Sequence, residues 1–140
     1  MPEPLLRYST LMLCLICLGS LSAGAQTDSV MVTDDGSHWN GEWIAEGTLF
    51  RVAVTVQDNV LELAEVQSLG FVWSAQPGTI SGNQATIQAQ YAGATALLQV
   101  NLLEADRAVV EAASCTPEFL VVCVLAKGQQ AVFIRSPAAP

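Results

Sequence analysis

Histidine and basic side chains are scarce in this sequence, with one His and five Lys or Arg in 140 residues against 13 Asp and Glu. The single histidine, His38, excludes any multi-histidine metal site. Lying beside Gly36-Ser37 and ahead of the first strand, it reads as a solvated loop residue rather than a lone base. The formal net charge of −8 argues against nucleic acid or an anionic membrane surface as a partner, because both repel an acidic protein. The carboxylates are scattered, with only Asp34 and Asp35 adjacent, so they read as solubilising charge. No Gly-x-Ser-x-Gly elbow is present: Gly78-Thr79-Ile80-Ser81-Gly82 sets an isoleucine where the nucleophile would stand. Asp34, Asp35, Asn40 and Glu42 gather oxygens near Gly36, but their spacing does not match the alternating ligands of a calcium loop. No metal and no cofactor is expected.

Long apolar runs are equally sparse. The one present, Leu11 to Leu18, follows Arg7 and ends at Ala23-Gly24-Ala25, the pattern of a secretory signal peptide with a small-residue cleavage site. A bilayer-spanning helix takes roughly 20 apolar residues, and Gly19, Ser20 and Ser22 interrupt this one. Residues 1–25 are therefore read as a signal peptide, 26–37 as a flexible N-terminal segment, 38–136 as one domain and 137–140 as a tail. Export to the periplasm or the extracellular medium follows, with no stable membrane anchor after cleavage. The mature chain would keep twelve acids and four bases, 4 − 12 = −8.

Of four cysteines, Cys14 and Cys17 leave with the leader. Cys115 and Cys123 remain as the only thiols in an oxidising compartment, where a disulfide is expected. Seven residues separate them, where redox motifs use two, so the bond reads as a structural staple.

From Trp39 onward, short alternating stretches are punctuated by turn residues. In Gln84 to Tyr91, Ala85, Ile87, Ala89 and Tyr91 alternate with polar partners, the signature of a half-buried strand. The same period runs through Phe50, Val52, Val54 and Val56, and Asp58-Asn59 joins it to Val60–Val66 as a tight hairpin. Further strands are expected at Trp39–Ala45, Gly70–Ser74, Thr95–Leu103, Ala108–Cys115, Leu120–Ala126 and Gln130–Arg135, with helix nearly excluded. Short connections make this an all-β, single-domain antiparallel meander. Closure into a small 8-stranded up-and-down barrel removes exposed edges and is preferred over the alternative, a two-layer β-sandwich.

Gly41-Glu42-Trp43, opening the first strong strand of a small secreted meander, resembles the Gly-x-Trp opening of calycin-type barrels, the lipocalins and avidin-like proteins. The resemblance covers those three residues and the strand rhythm. It implies that Trp43 packs across one end of the barrel and that Arg135, from the last strand, covers it. No ligand identity is carried by it.

A barrel would turn Trp39, Trp43, Phe50, Val52, Val54, Ile87, Tyr91, Leu98 and Val100 inward, with Ala85, Ala89, Ala96, Ala108 and Ala112 among them. Small residues leave room for one small molecule, or let the walls approach in a flattened, self-filled barrel, the arrangement that so small a shell favours. Glu62 and Glu65 fall on opposite faces of their strand, and Glu65 shares the face of Leu61 and Leu63. Arg51 and Arg107 read as surface charges. The sequence thus favours an exported, non-enzymatic binding protein for a small apolar ligand, with Trp39, Trp43, Glu65, Tyr91 and Arg135 as candidate ligand-binding residues. The alternative is a protein-interaction module, an inhibitor or accessory subunit of an exported complex, that uses Phe71, Trp73 and Phe119 as its partner surface.

Overall fold

The computed structural model describes residues 34–137. The expected signal peptide of 1–25, most of the expected flexible segment 26–37 and the end of the expected tail 137–140 lie outside the described residues. A 3₁₀ turn, Ser37–Trp39, is followed by β1 (Gly41–Ala45), β2 (Arg51–Gln57), β3 (Val60–Gln67), β4 (Trp73–Ala75), β5 (Gly78–Ser81), β6 (Gln84–Tyr91), β7 (Ala94–Glu104), β8 (Arg107–Thr116), helix α1 (Val121–Ala126) and β9 (Gln130–Arg135).

Every strand pairs antiparallel with its neighbours. The sheet closes on itself as an 8-stranded barrel, because β6 pairs with both β5 and β7 and β1 pairs with β9. Closure removes the sandwich alternative. β4 and β5 form one broken stave. β4 pairs with the end of β6 (Trp73↔Tyr91) and β5 with its start (Thr79↔Thr86), and between them the Gln76 N–H donates to the Gln88 carbonyl at 2.8 Å. Pro77, which has no N–H to donate, falls at the break.

The local rules that build these strands are visible in the burial pattern. Val52, Val54 and Val56 are buried while Ala53, Thr55 and Gln57 face outward, as a two-residue period requires. Asp58 and Asn59 both adopt positive φ, 51° and 62°, the backbone of a two-residue hairpin whose twist matches its strands. The β6–β7 ladder runs unbroken from Gln84↔Asn101 to Tyr91↔Ala94. By contrast, the seam that closes the barrel between β3 and β5 has only two pairs, Val60↔Thr79 and Leu61↔Gly78, with the Ile80 N–H donating to the Asn59 carbonyl at 3.1 Å.

Four local expectations are corrected. Trp39–Ala45 is not one strand, since Trp39 ends the 3₁₀ turn, where its indole Nε1 donates to the Gly82 carbonyl at 3.1 Å. Residues 34–37 of the segment expected to be flexible are pinned: the Gly36 and Ser37 N–H groups donate to Asp34 and Asp35 Oδ1 at 3.2 and 2.9 Å, and the Asn59 N–H donates to the Asp35 carbonyl. The strand expected at Gly70–Ser74 shrinks and shifts to β4, because Leu69 and Gly70 both take positive φ, 56° and 84°, and extend the turn.

Leu120–Ala126 becomes α1 instead of a strand, although its valines favour extended structure. β9 pairs only with the first half of β8, Arg107–Glu111, so an extended segment at 120–126 is not held in a ladder. The Cys115–Cys123 disulfide ties it to the end of β8 with the Cα atoms 5.3 Å apart. A helical turn there satisfies its own backbone, the Val124 N–H donating to Leu120 O at 3.0 Å and the Lys127 N–H to Cys123 O at 3.2 Å. Attachment to the barrel overrides propensity. The expected disulfide is present, though it clips a helix to a strand rather than stapling a hairpin.

Candidate functional site

In an up-and-down meander, alternate connections collect at opposite poles. The 3₁₀ turn, the Asp58-Asn59 and Gly82-Asn83 turns, the 105–106 turn and the end of β9 share one pole. The longer connections, 46–50, 68–72 and 117–129, and the Ala92-Gly93 turn share the other.

The first pole is closed. Trp39 and Trp43 are almost fully buried there, and the Trp43 indole N–H donates to the Trp39 carbonyl at 3.1 Å. Arg135 stands outside this pair with its guanidinium 4.6 Å from the Trp43 ring centre. It donates to the backbone carbonyls of His38, Asn40 and Ala105. One arginine thus ties the 3₁₀ turn and the β7–β8 turn to the floor tryptophan, combining cation–π and charge-assisted contacts. Gly41 makes this possible: a Cβ there would lie 3.1 Å from an Arg135 guanidinium nitrogen.

Above the floor the barrel is hollow. A cavity of about 370 Å³ is lined by residues from β1 to β9, almost all of them apolar. All three tryptophans of the chain, Trp39, Trp43 and Trp73, are in its wall, with Phe50, Phe71, Tyr91 and Phe133. Phe50 packs against Trp73 and Phe133 with ring centres 6.0 and 6.4 Å apart, and Phe71 meets Tyr91 edge-on at 5.6 Å. Of the five alanines expected to face inward, Ala89 and Ala108 face the hollow, whereas Ala85, Ala96 and Ala112 are not in its lining. Such a volume lies within the range of small-molecule pockets, about 300–1,000 Å³.

The wall holds little that could do chemistry. Among the described residues no group of three or more His, Cys, Asp and Glu is placed to share a metal ion. The oxygens near Gly36 are otherwise engaged, Asp34 and Asp35 on backbone N–H groups, Asn40 Oδ1 on the Val56 N–H at 2.6 Å and Glu42 on Arg51 at 3.1 Å. Asp35 has its carboxyl held below the usual carboxylate range by the Ser37 hydroxyl first and then by the Ser37 N–H. His38 Nδ1 lies 3.2 Å from Asp34, on the outside of the closed pole.

Of the residues singled out from sequence, Trp39, Trp43 and Tyr91 do line the cavity. Arg135 does not: it clasps the floor from outside. Glu65 does not line it either. It stands opposite the inward Val52 in the ladder, as alternation requires, but β3 has no partner beyond Leu61 on its β5 side, so the carboxylate is exposed to water beside the opening. Trp73, expected on a partner surface, is turned into the wall against Phe50, and Phe71 lines the cavity while staying half exposed. Phe119 is 80% exposed, between β8 and α1. Leu61, Leu63, Val110 and Phe133 also line the cavity without having been singled out as site residues. The signal for them was present, since Leu63 shares the face of Leu61, Val110 that of Ala108, and Phe133 that of Arg135.

No family model matches this chain, and neither a curated protein nor a solved structure is similar to it.

Proposed function

We propose that this protein is an exported, non-enzymatic carrier that holds one small apolar molecule in its barrel. The observation behind this reading is the hollow itself: about 370 Å³ walled by aromatic and aliphatic side chains. A cavity of this kind excludes water and favours apolar occupants at about 0.8 kcal/mol per buried methylene. The Cys115–Cys123 bond is compatible with the oxidising compartment that the leader implies. The Trp43–Arg135 stacking supports a likeness to calycin-type barrels.

Two measurements test the reading. Native mass spectrometry of protein purified gently from the exported fraction should reveal an added small mass that disappears on denaturation. Ala89→Phe, which grows an aromatic ring into the hollow, should abolish displacement of a hydrophobic dye while leaving the circular dichroism spectrum of the barrel intact. Dye binding that survives this filling would place the dye outside and overturn the carrier reading.

A second reading, an interaction module for an exported protein partner, is favoured by the apolar residues exposed on the loops at the open pole, with Val72 86% and Phe119 80% exposed. Under that reading Phe119→Asp, at a residue that does not line the cavity, abolishes co-purification of a stoichiometric partner and leaves dye binding unchanged.

A further inference from the structure

The six most exposed large apolar side chains among the described residues, 61% to 86% exposed, are Leu49, Val72, Phe119, Val121, Val124 and Leu125. All six lie on the connections at the open pole, Leu49 on 46–50, Val72 on 68–72 and the other four on 117–129. Helix α1, which carries three of them, is held at that pole by its disulfide to the end of β8. Leu120, just before it, lies 3.9 Å from where a Cβ on Gly93 of the β6–β7 turn would stand. Phe71 and Tyr91 are partly exposed and also belong to the cavity wall, so apolar surface is continuous from the rim into the hollow.

Charge is arranged the opposite way along the barrel. The open-pole connections carry Glu46, Glu118 and Lys127. Glu46 is paired with Arg107 at 3.8 Å, and the exposed Glu118 and Lys127 carry opposite charges that cancel. Glu65 adds one exposed carboxylate beside the mouth. Asp34, Asp35, Asp58, Glu104 and Asp106 all stand at the closed pole, so the acidity is concentrated behind the tryptophan floor and the rim is an apolar ring of little net charge.

Exposed apolar surface of this kind marks contact with a protein or with a membrane. The side-chain types choose between them. Protein hot spots favour Trp, Tyr and Arg and under-use Leu and Val, whereas the rim is built from three valines, two leucines and a phenylalanine. Lipid takes up aliphatic area without demanding a matching shape, and a rim near neutrality calls for no anionic headgroup. A second copy seated mouth to mouth would shut both hollows. Resting on the carrier reading, we propose that the open pole is a lipid-docking face: the rim seats reversibly on a zwitterionic phospholipid surface, and an apolar occupant passes between that surface and the cavity without crossing water.

The test is flotation of the oxidised protein with phosphatidylcholine vesicles, with binding of the neutral dye 1-aminoanthracene in vesicle-free solution measured beside it. The parent should float with the vesicles equally in about 0.1 M and about 1 M salt, because screening acts on charge and not on apolar transfer. Val72→Asp/Leu125→Asp alters two connections at residues that do not line the cavity. It should lower vesicle partitioning about a hundredfold or more, the scale of two apolar side chains lost from transfer, while dye binding stays unchanged. Leu103→Asp makes the same chemical change at an exposed leucine beside the closed pole and should leave both readouts unchanged. A parent that binds dye but does not float, or a Leu103→Asp loss equal to that of the double variant, overturns the docking face and leaves the carrier reading in place. Self-association of the parent that blocks flotation and disappears in Val72→Asp/Leu125→Asp also overturns it, by making the rim an interface between copies. A parent that floats but takes up no dye overturns the carrier reading itself.

Discussion

Gly78→Ala isolates the seam on which barrel closure depends. Gly78 is buried on β5, opposite Leu61, in one of only two residue pairs joining β3 to β5. A Cβ built there would lie 2.7 Å from the Thr86 carbonyl oxygen and 2.8 Å from Ile87 Cγ1. The first of these is backbone of the adjoining strand and cannot rotate aside. Either β5 moves off β6 or β6 moves into the cavity, and each weakens a ladder already reduced to two pairs on its other side. Overpacking of this kind costs about 1–3 kcal/mol. In a domain of this size that corresponds to a fall in Tm of about 4–8 °C per kcal/mol. Where a side chain has space, Gly→Ala stabilises by about 0.4–1 kcal/mol through the unfolded chain, so the sign of the change is diagnostic. Thermal and urea unfolding, followed by tryptophan fluorescence, should show a lower midpoint with an unchanged m-value. Gly82→Ala is the control: nothing lies within 4 Å of its Cβ, but its φ of +58° is left-handed, at about 1–2 kcal/mol for a non-glycine residue. A Gly78→Ala protein as stable as the parent would refute the claim that this contact is rigid and that the seam limits closure.

Arg135→Met keeps the aliphatic stem but removes the donors to three carbonyls and the charge over Trp43, and should cost about 2 kcal/mol in urea unfolding; a change below a few tenths would show the clasp to be ornamental. The Cys115→Ser/Cys123→Ser double variant should lose about 2.5 kcal/mol, the chain-entropy value for so short a loop, and reductant should shift the parent's midpoint to the same place while leaving the variant's alone. Asp35 has a folded-state pKa below its unfolded value, so its contribution to stability is complete above the ordinary carboxylate range and is lost as pH falls through the lowered value. Asp35→Asn should accordingly flatten the acid limb of a Tm-against-pH curve, and an identical limb in both proteins would contradict the assignment.

Periodicity was enough wherever a strand is buried on one face only. Gln84–Tyr91 and the Val52, Val54 and Val56 stretch fall where alternation sets them, and Asp58-Asn59 turns the chain because those residues tolerate positive φ. The floor of the cavity was legible through the resemblance carried by Gly41-Glu42-Trp43, which implied Trp43 across one end with Arg135 over it. What sequence could not supply was the competition between local preference and attachment. Val121, Val122 and Val124 favour a strand, but the disulfide and the early end of the β8–β9 ladder leave them a helical turn. Trp73 and Phe71 looked like an exposed pair because their strand is short, and only the break at Gln76-Pro77, which aligns β4 with the end of β6, shows them entering the wall. Glu65 obeys its period, yet its environment depends on where the neighbouring stave ends, a property of the sheet rather than of its own strand.

The two ends of the described chain leave from the same pole. Asp34 leads into the 3₁₀ turn under the floor, and Pro137 follows a residue whose N–H donates to the Glu42 carbonyl at 2.7 Å. The hollow opens at the other pole. Residues 34 and 137 therefore both lie behind the tryptophan floor, on the side of the barrel away from the mouth. Chain that leaves the barrel at residue 34 or residue 137 starts from the closed face, so the cavity entrance is built wholly from the connections at the opposite pole.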